Sequence, residues 1–139
     1  MPLFNNVRDA MDRNVQFVEE GTTVKDVLGT MIKNGVWAVV VAAKGVPLGV
    51  VTEHDILRRC DYNGLDASRV RAEEIMSSPI ILIDVDAPIG EALATMVERG
   101  VRRLFIADNG KIVGRITEKA VLESTMNVML ALKSYASAV

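Results

Sequence analysis

Residues 35–57 read GVWAVVVAAKGVPLGVVTEHDIL, and residues 100–122 read GVRRLFIADNGKIVGRITEKAVL. The second stretch overlays the first without a gap. Gly35 and Val36 fall on Gly100 and Val101, Gly45 and Gly49 on Gly110 and Gly114, and Thr52, Glu53 and Leu57 on Thr117, Glu118 and Leu122. Outward from this stretch the same register brings Met11 onto Met76, Leu28 onto Leu93, Thr30 onto Thr95 and Met31 onto Met96. Apolar positions also correspond: Phe17 with Leu82, Val18 with Ile83, Val41 with Ile106. An ungapped register over roughly 47 positions that keeps both glycines and hydrophobic pattern marks an internal duplication.

Each copy reads as βαββα. A short extended piece comes first, Val15–Val18 and Ile80–Ile83. A helix start follows, Thr22 and Thr23 before Val24, and Ala87 and Pro88 before Ile89, with proline suited to the first helical position. Val24, Val27, Leu28, Met31 and Ile32 recur at helical spacing, as do Ile89, Leu93, Met96 and Val97, and are expected to face the core. Gly35 and Gly100 supply left-handed helix stops. The apolar runs Val36–Val41 and Leu104–Ile106 read as buried strands. Lys44-Gly45 and Asn109-Gly110 are hairpin turns leading to Leu48–Val51 and Ile112–Ile116. Thr52 and Thr117 stand where the next helix begins. A unit of about 50 residues cannot cover both faces of its own sheet, so two copies are expected to pack as one pseudo-twofold body.

The polar stretch 59–72 reads as a surface loop leading into a short helix, Ala72–Met76. The tail Val121–Val139 reads as a helix with the apolar stripe Leu122, Met126, Met129, Leu132 and Tyr135. That stripe suits either the chain's own core or a contact with a second copy.

Composition narrows the function. The chain has 139 residues, half of them hydrophobic, enough for a sizeable core. With 16 basic and 18 acidic residues the net charge is −2, and no basic block appears, which argues against nucleic acid as a partner. No apolar stretch approaches the roughly 18–20 residues that span a bilayer. The N-terminal MPLFNNVRDAM lacks the pattern of a signal peptide. A single cysteine, Cys60, excludes an internal disulfide and reads as a buried bystander. A cytoplasmic protein is expected. Glu53-His54-Asp55 does not form a metal site, because adjacent helical residues diverge by about 100°. No nucleophile elbow or Walker loop occurs, so no enzymatic activity and no required cofactor are expected.

The lead-in segments VRDAM and AEEIM, the helices ending at Gly35 and Gly100, the segment VRRLFIADNGKIVG and the motif G-h-h-T-x-x-D together resemble the CBS-domain family, named for cystathionine β-synthase, whose tandem pairs are called Bateman modules. The resemblance runs from Val7 to Leu122. It implies an α/β (α+β) fold of two pseudo-twofold-related βαββα CBS repeats packed sheet-to-sheet, with helical N- and C-terminal extensions. The repeats would be 7–60 and 73–123, with 61–72 as linker and 124–139 as C-terminal helix. It also implies a non-catalytic sensor that binds AMP, ADP or ATP in a cleft between the repeats, and a disk-like homodimer.

In Gly49-Val50-Val51-Thr52-Glu53-His54-Asp55, Thr52 lies where a strand turns into a helix, suited to a phosphate. Asp55 lies one turn on, suited to two ribose hydroxyls. The same residues also suit a plain N-cap and a first-turn acid. By resemblance the partners of Thr52 and Asp55 are Ile80 and Ile81 beside the base, and Arg102 and Arg103 toward phosphates. Strand alternation separates those two arginines. The second copy reads Gly114-Arg115-Ile116-Thr117-Glu118-Lys119-Ala120, with Ala120 where the acid is expected. Its site would use Val15, Gln16, Trp37, Ala38, Thr117 and Lys119 and is expected to be degenerate, with Arg115 or Lys119 still able to meet a phosphate. The competing readings are a ligand-free structural or partner-binding module, and a binder of S-adenosylmethionine or NAD.

Overall fold

The computed structural model describes residues 6–137, so the first five residues of the N-terminal stretch and the last two of the tail lie outside the described residues. The fold is mixed α+β, with two three-stranded sheets. The chain runs α1 (Val7–Ala10), β1 (Phe17–Glu19), α2 (Val24–Asn34), β2 (Ala38–Ala43), β3 (Val46–Thr52) and α3 (Glu53–Asp55), which continues through a wider π-helical stretch, Ile56–Asp61. Then come α4 (Ala72–Ile75), β4 (Leu82–Asp84), α5 (Ile89–Arg99), β5 (Arg103–Asp108), β6 (Lys111–Thr117) and α6 (Glu118–Ser137).

Both sheets have one design. The first strand pairs parallel with the second, and the second pairs antiparallel with the third through a tight hairpin. Lys44-Gly45 and Asn109-Gly110 take positive φ at both turn positions, as a two-residue hairpin demands. Thr23 caps α2 by accepting from the Asp26 amide, and Gly35 and Gly100 end α2 and α5 at φ 64° and 65°.

The strand starts shift in both directions: β1, β4 and β2 begin two residues later than the sequence suggests, whereas β5 begins one residue before Leu104, β3 two before Leu48 and β6 one before Ile112. The first strand of each copy is Phe17–Glu19 or Leu82–Asp84, and the second starts at Ala38 or Arg103. Only one neighbour pairs with each first strand, so the ladder holds just the overlap, from the Val40 amide on the Gln16 carbonyl to the Glu20 amide on Ala42. Pro88 stands at the N-cap of α5, one place before the expected first turn. Arg59, Cys60 and Asp61 belong to the helix after Thr52 rather than to the connecting loop.

The compact units do not coincide with the repeats. One unit holds Asn14–Ile80, and the other holds the residues up to Arg13 together with Ile81 onward. Each lead-in helix therefore packs with the other copy's sheet. In the first unit Ala72 and Ile75 of α4 join a core of Val18, Val27, Val39 and Val51. In the second Val7 of α1 joins Ile83, Ile106, Ile116 and Val121. Two of the repeated glycines explain the fit. A Cβ on Gly49 would stand 2.7 Å from the Ser77 carbonyl oxygen and 2.8 Å from Met76 Sδ, and one on Gly114 would stand 2.7 Å from Met11 Sδ. The repeated Gly and Met are one packing device, used once in each unit.

One expectation about the core fails, and of the two readings left open for the tail stripe its exposure disfavours packing on the chain's own core. Ile32 and Val97 follow helical spacing yet are 81 % and 75 % exposed. On α6 the stripe Leu122, Met126, Met129, Leu132 and Tyr135 is also exposed, and Val121 and Ser124 are the residues it buries. At about 100° per residue Leu122, Met126 and Met129 lie about 80–140° around the helix from Val121, whereas Leu132 and Tyr135 return to the side of Val121 and Ser124 and are exposed nonetheless.

Candidate functional site

The carboxylate that the sequence singles out sits in a closed polar network within the first unit. Thr52 is extended (φ −105°, ψ 165°) and is the N-cap of α3. Its hydroxyl accepts from the Asp55 amide at 3.1 Å and donates to Asp55 Oδ2 at 3.0 Å, and its own amide donates to the same oxygen at 2.9 Å. The other carboxylate oxygen, Oδ1, accepts from Ser77 Oγ at 2.9 Å, with Arg59 Nε 4.0 Å away. Asp55 is only 5 % exposed. Arg59 is held in place by the carbonyls of Ile75 and Met76. Ser77 is fixed by a reciprocal backbone pair with Val50, 2.8 and 2.9 Å. Thus α3, β3 and the segment after α4 converge on one carboxylate. Ser77 and Arg59 are the members that sequence reasoning misses. The signal that could have found Ser77 is its place beside Met76, the residue packed on Gly49.

The second copy shows the same cap without the acid. The Thr117 hydroxyl accepts from the Ala120 amide at 3.1 Å, and Ala120 packs against the core. The position equivalent to Ser77 is Asp12, whose carboxylate accepts from Arg115 Nη2 at 2.9 Å. Asp12 and Arg115 also share a backbone bridge. Arg115 keeps 14 % of its side chain exposed. In this unit the acid has moved from the helix to the lead-in segment and brought its own cation.

The remaining expected residues are placed as follows. Ile80 lies half-buried in the first unit, and Ile81 packs on the second core with its carbonyl on the Phe105 amide. Arg103 opens β5 opposite Thr117, and because Leu104 points into the core, Arg103 faces away from it. Arg102 precedes the strand, exposed, with its carbonyl on the Glu118 amide. The two arginines therefore occupy opposite sides of the strand's start. Val15 and Gln16 are half-buried, and Gln16 Nε2 donates to Asn14. Ala38 is buried opposite Thr52 in the sheet. Trp37, with its carbonyl on the Glu53 amide, lines a groove of about 350 Å³ with Leu28, Met31, Ile32, Gly35, Val36 and Glu53. Lys119 pairs with Glu123 at 3.9 Å on the surface. Cys60 is buried, and burial pushes its thiol up, with Asp61 and Asp66 adding to the shift. Among the described residues no cluster of metal-ligating side chains occurs, and no helix is long and apolar enough to cross a membrane.

The sequence matches the CBS-domain profile over residues 7–62 and again over 72–127. The chain belongs to the CBS-domain family. Tandem CBS pairs are generally regulatory, ligand-binding modules. An uncharacterized protein of Methanopyrus kandleri is 34% identical over 103 residues, which is 73% of this chain and 53% of the relative. A second uncharacterized protein, from Methanocaldococcus jannaschii, is 31% identical over 84% of this chain and 64% of its own length. The chain thus spans between half and two thirds of these two curated relatives. Among solved structures, an uncharacterized conserved protein from Pyrococcus horikoshii superposes with a TM-score of 0.81 at 30% identity, over 90% of this chain and 95% of that one.

Proposed function

We propose that this CBS pair is a non-catalytic, cytoplasmic sensor of an adenine nucleotide, anchored at Thr52 and Asp55, and that it works as a homodimer. The observation that carries the reading is the contrast between the two copies. Thr117 caps its helix with alanine three residues on, so the fold does not need an acid at that place. Asp55 is nonetheless an acid and buried. A buried carboxylate is costly unless it is hydrogen-bonded, and one the fold can do without suggests a function. Its two oxygens match the paired hydroxyls of a ribose. Within the same unit Ile80 offers apolar contact, and the family resemblance adds Ile81, Arg102 and Arg103 as expected ligand contacts.

A second reading is favoured by Ser77. Its hydroxyl already occupies Oδ1, so Asp55 would serve only as a cross-link between α3 and the segment after α4. A thermal-shift series with AMP, ADP, ATP, NAD and S-adenosylmethionine separates the two. A ligand at a hundred times its dissociation constant stabilises by about 2.7 kcal/mol, a rise of several degrees. Asp55→Ala is expected to weaken that ligand about ten- to a hundredfold by calorimetry, the loss of charge-assisted hydrogen bonds worth roughly 1.5–3 kcal/mol. Equal affinity in wild type and Asp55→Ala would remove Asp55 from the site. No shift with any compound would leave the cross-link as its role.

A further inference from the structure

Asp55 has most of its hydrogen-bonding capacity filled. An ionised carboxylate offers about four lone-pair places, two on each oxygen. Oδ2 accepts from the Thr52 amide at 2.9 Å and from the Thr52 hydroxyl at 3.0 Å, so both of its places are taken. Oδ1 accepts from Ser77 Oγ at 2.9 Å, while Arg59 Nε stands 4.0 Å off, an ion pair beyond hydrogen-bond length. One place on Oδ1 is left. A single hydroxyl fits there, but the two hydroxyls of a vicinal diol need a second place.

The donors differ in how easily they can leave. The Thr52 bonds belong to the helix cap: the same hydroxyl accepts from the Asp55 amide, and the two residues are three apart in the chain. Removing them would unravel the start of α3. Ser77 is held differently. Its backbone is fixed by the reciprocal pair with Val50, which does not involve the side chain. Rotation about χ1 alone swings Oγ off Oδ1 and leaves the segment in place. Ser77 is half-buried and Asp55 only 5 % exposed, so the departing hydroxyl turns toward water and opens the carboxylate.

The second unit supports a dedicated pairing of acid and serine. Repeat correspondence puts Ala120 at the place of Asp55, Asp12 at that of Ser77 and Ser124 at that of Arg59. Yet the backbone bridge of the lead-in segment persists there, Asp12 with Arg115 at 2.8 Å in both directions. The fold therefore needs the bridge but not the serine hydroxyl, and the serine stands where the acid does.

We infer that Ser77 is the specificity-determining residue of the Asp55 site, an internal hydroxyl that holds one of the two carboxylate places a vicinal diol must occupy. A diol binds by exchange: one hydroxyl takes the open place on Oδ1, and the other replaces Ser77 Oγ. A ligand with one hydroxyl leaves Ser77 where it is. Ser77 thereby lowers the affinity for diols and narrows their advantage over single-hydroxyl analogues. This inference rests on the reading of Asp55 as a ribose-binding acid and adds the residue that sets its affinity and selectivity.

Calorimetry on the full chain with AMP, which carries the diol, and 2′-deoxy-AMP, which keeps a single ribose hydroxyl, tests it. Asp55→Ala tests the underlying reading: no AMP binding by wild type, or equal AMP affinity in wild type and Asp55→Ala, would overturn that reading and the inference with it. Ser77→Ala is expected to bind AMP about three- to tenfold more tightly, the gain from deleting one hydrogen-bonded competitor less the water that takes its place, and to bind 2′-deoxy-AMP as wild type does. A merely structural serine would shift both nucleotides alike. Ser77→Thr keeps the hydroxyl and is expected to keep the wild-type affinities. AMP affinity unchanged or weakened in Ser77→Ala, or a gain equal for the two nucleotides, would overturn the inference while leaving Asp55 in the site.

Discussion

Replacing Gly49 by alanine tests the exchange of lead-in segments and the assembly of the Asp55 network at once. The new Cβ would stand 2.7 Å from the Ser77 carbonyl and 2.8 Å from Met76 Sδ. The sulfur can swing aside, but the carbonyl is backbone and is paired with the Val50 amide at 2.9 Å. Relief therefore requires the segment after α4 to move off β3. Overpacking of this kind costs about 1–3 kcal/mol. Displacing Ser77 also removes its bond to Asp55 Oδ1, a hydrogen bond to a charged group worth roughly 1.5–3 kcal/mol. Since the two losses overlap, the expected total is about 2–4 kcal/mol, or roughly 6–15 °C in Tm for a chain of this size. Urea and thermal unfolding followed by circular dichroism measure it. Gly29→Ala is the control: it lies in α2, a Cβ there meets nothing within 4 Å, and it is expected to stabilise by about 0.5–1 kcal/mol. A Gly49→Ala variant as stable as wild type would refute the close approach of Ser77 and Met76 to β3, and with it the support of Asp55 by that segment.

Further expectations concern the second unit and the thiol. Ala120→Asp places a carboxylate where Asp55 stands in the first copy, but its neighbour by repeat correspondence is Asp12 rather than serine; a loss of about 1–2 kcal/mol is expected in urea unfolding, and Asp12→Ser in the same chain should recover most of it. No recovery in the double variant would show that the two lead-in segments do not play equivalent parts. Asp12→Asn alone should cost no more than about 1 kcal/mol, because Asp12 is largely exposed even though Arg115 is not. Cys60 should resist a thiol reagent in the folded chain at neutral pH, since burial raises its pKa and leaves little thiolate, and it should react at once in denaturant. Rapid labelling of the native chain would place Cys60 on an accessible surface.

The duplicated sequence by itself determined the two sheets, the left-handed helix stops at Gly35 and Gly100, the hairpins at Lys44-Gly45 and Asn109-Gly110, and the cap at Thr52. The helix stops, hairpins and cap are local, each set by residues within a few positions, and the sheets were legible because an apolar run marks each strand, although the parallel pairing of Phe17 with Val40 and of Leu82 with Phe105 joins residues 23 apart. It also pointed to Thr52 and Asp55 through their spacing of one helical turn. Tertiary structure alone decided what surrounds Asp55. Ser77 lies 22 residues along the chain from it and meets it only because α4 packs on the sheet of the preceding copy. It likewise decided that Val7 belongs to the second core, and that Ile32, Val97 and Leu122 face outward despite their helical spacing. A period of 3.6 says that one face of a helix is apolar. How wide that face is, and how much of it a neighbouring element covers, is set by packing between segments far apart in sequence.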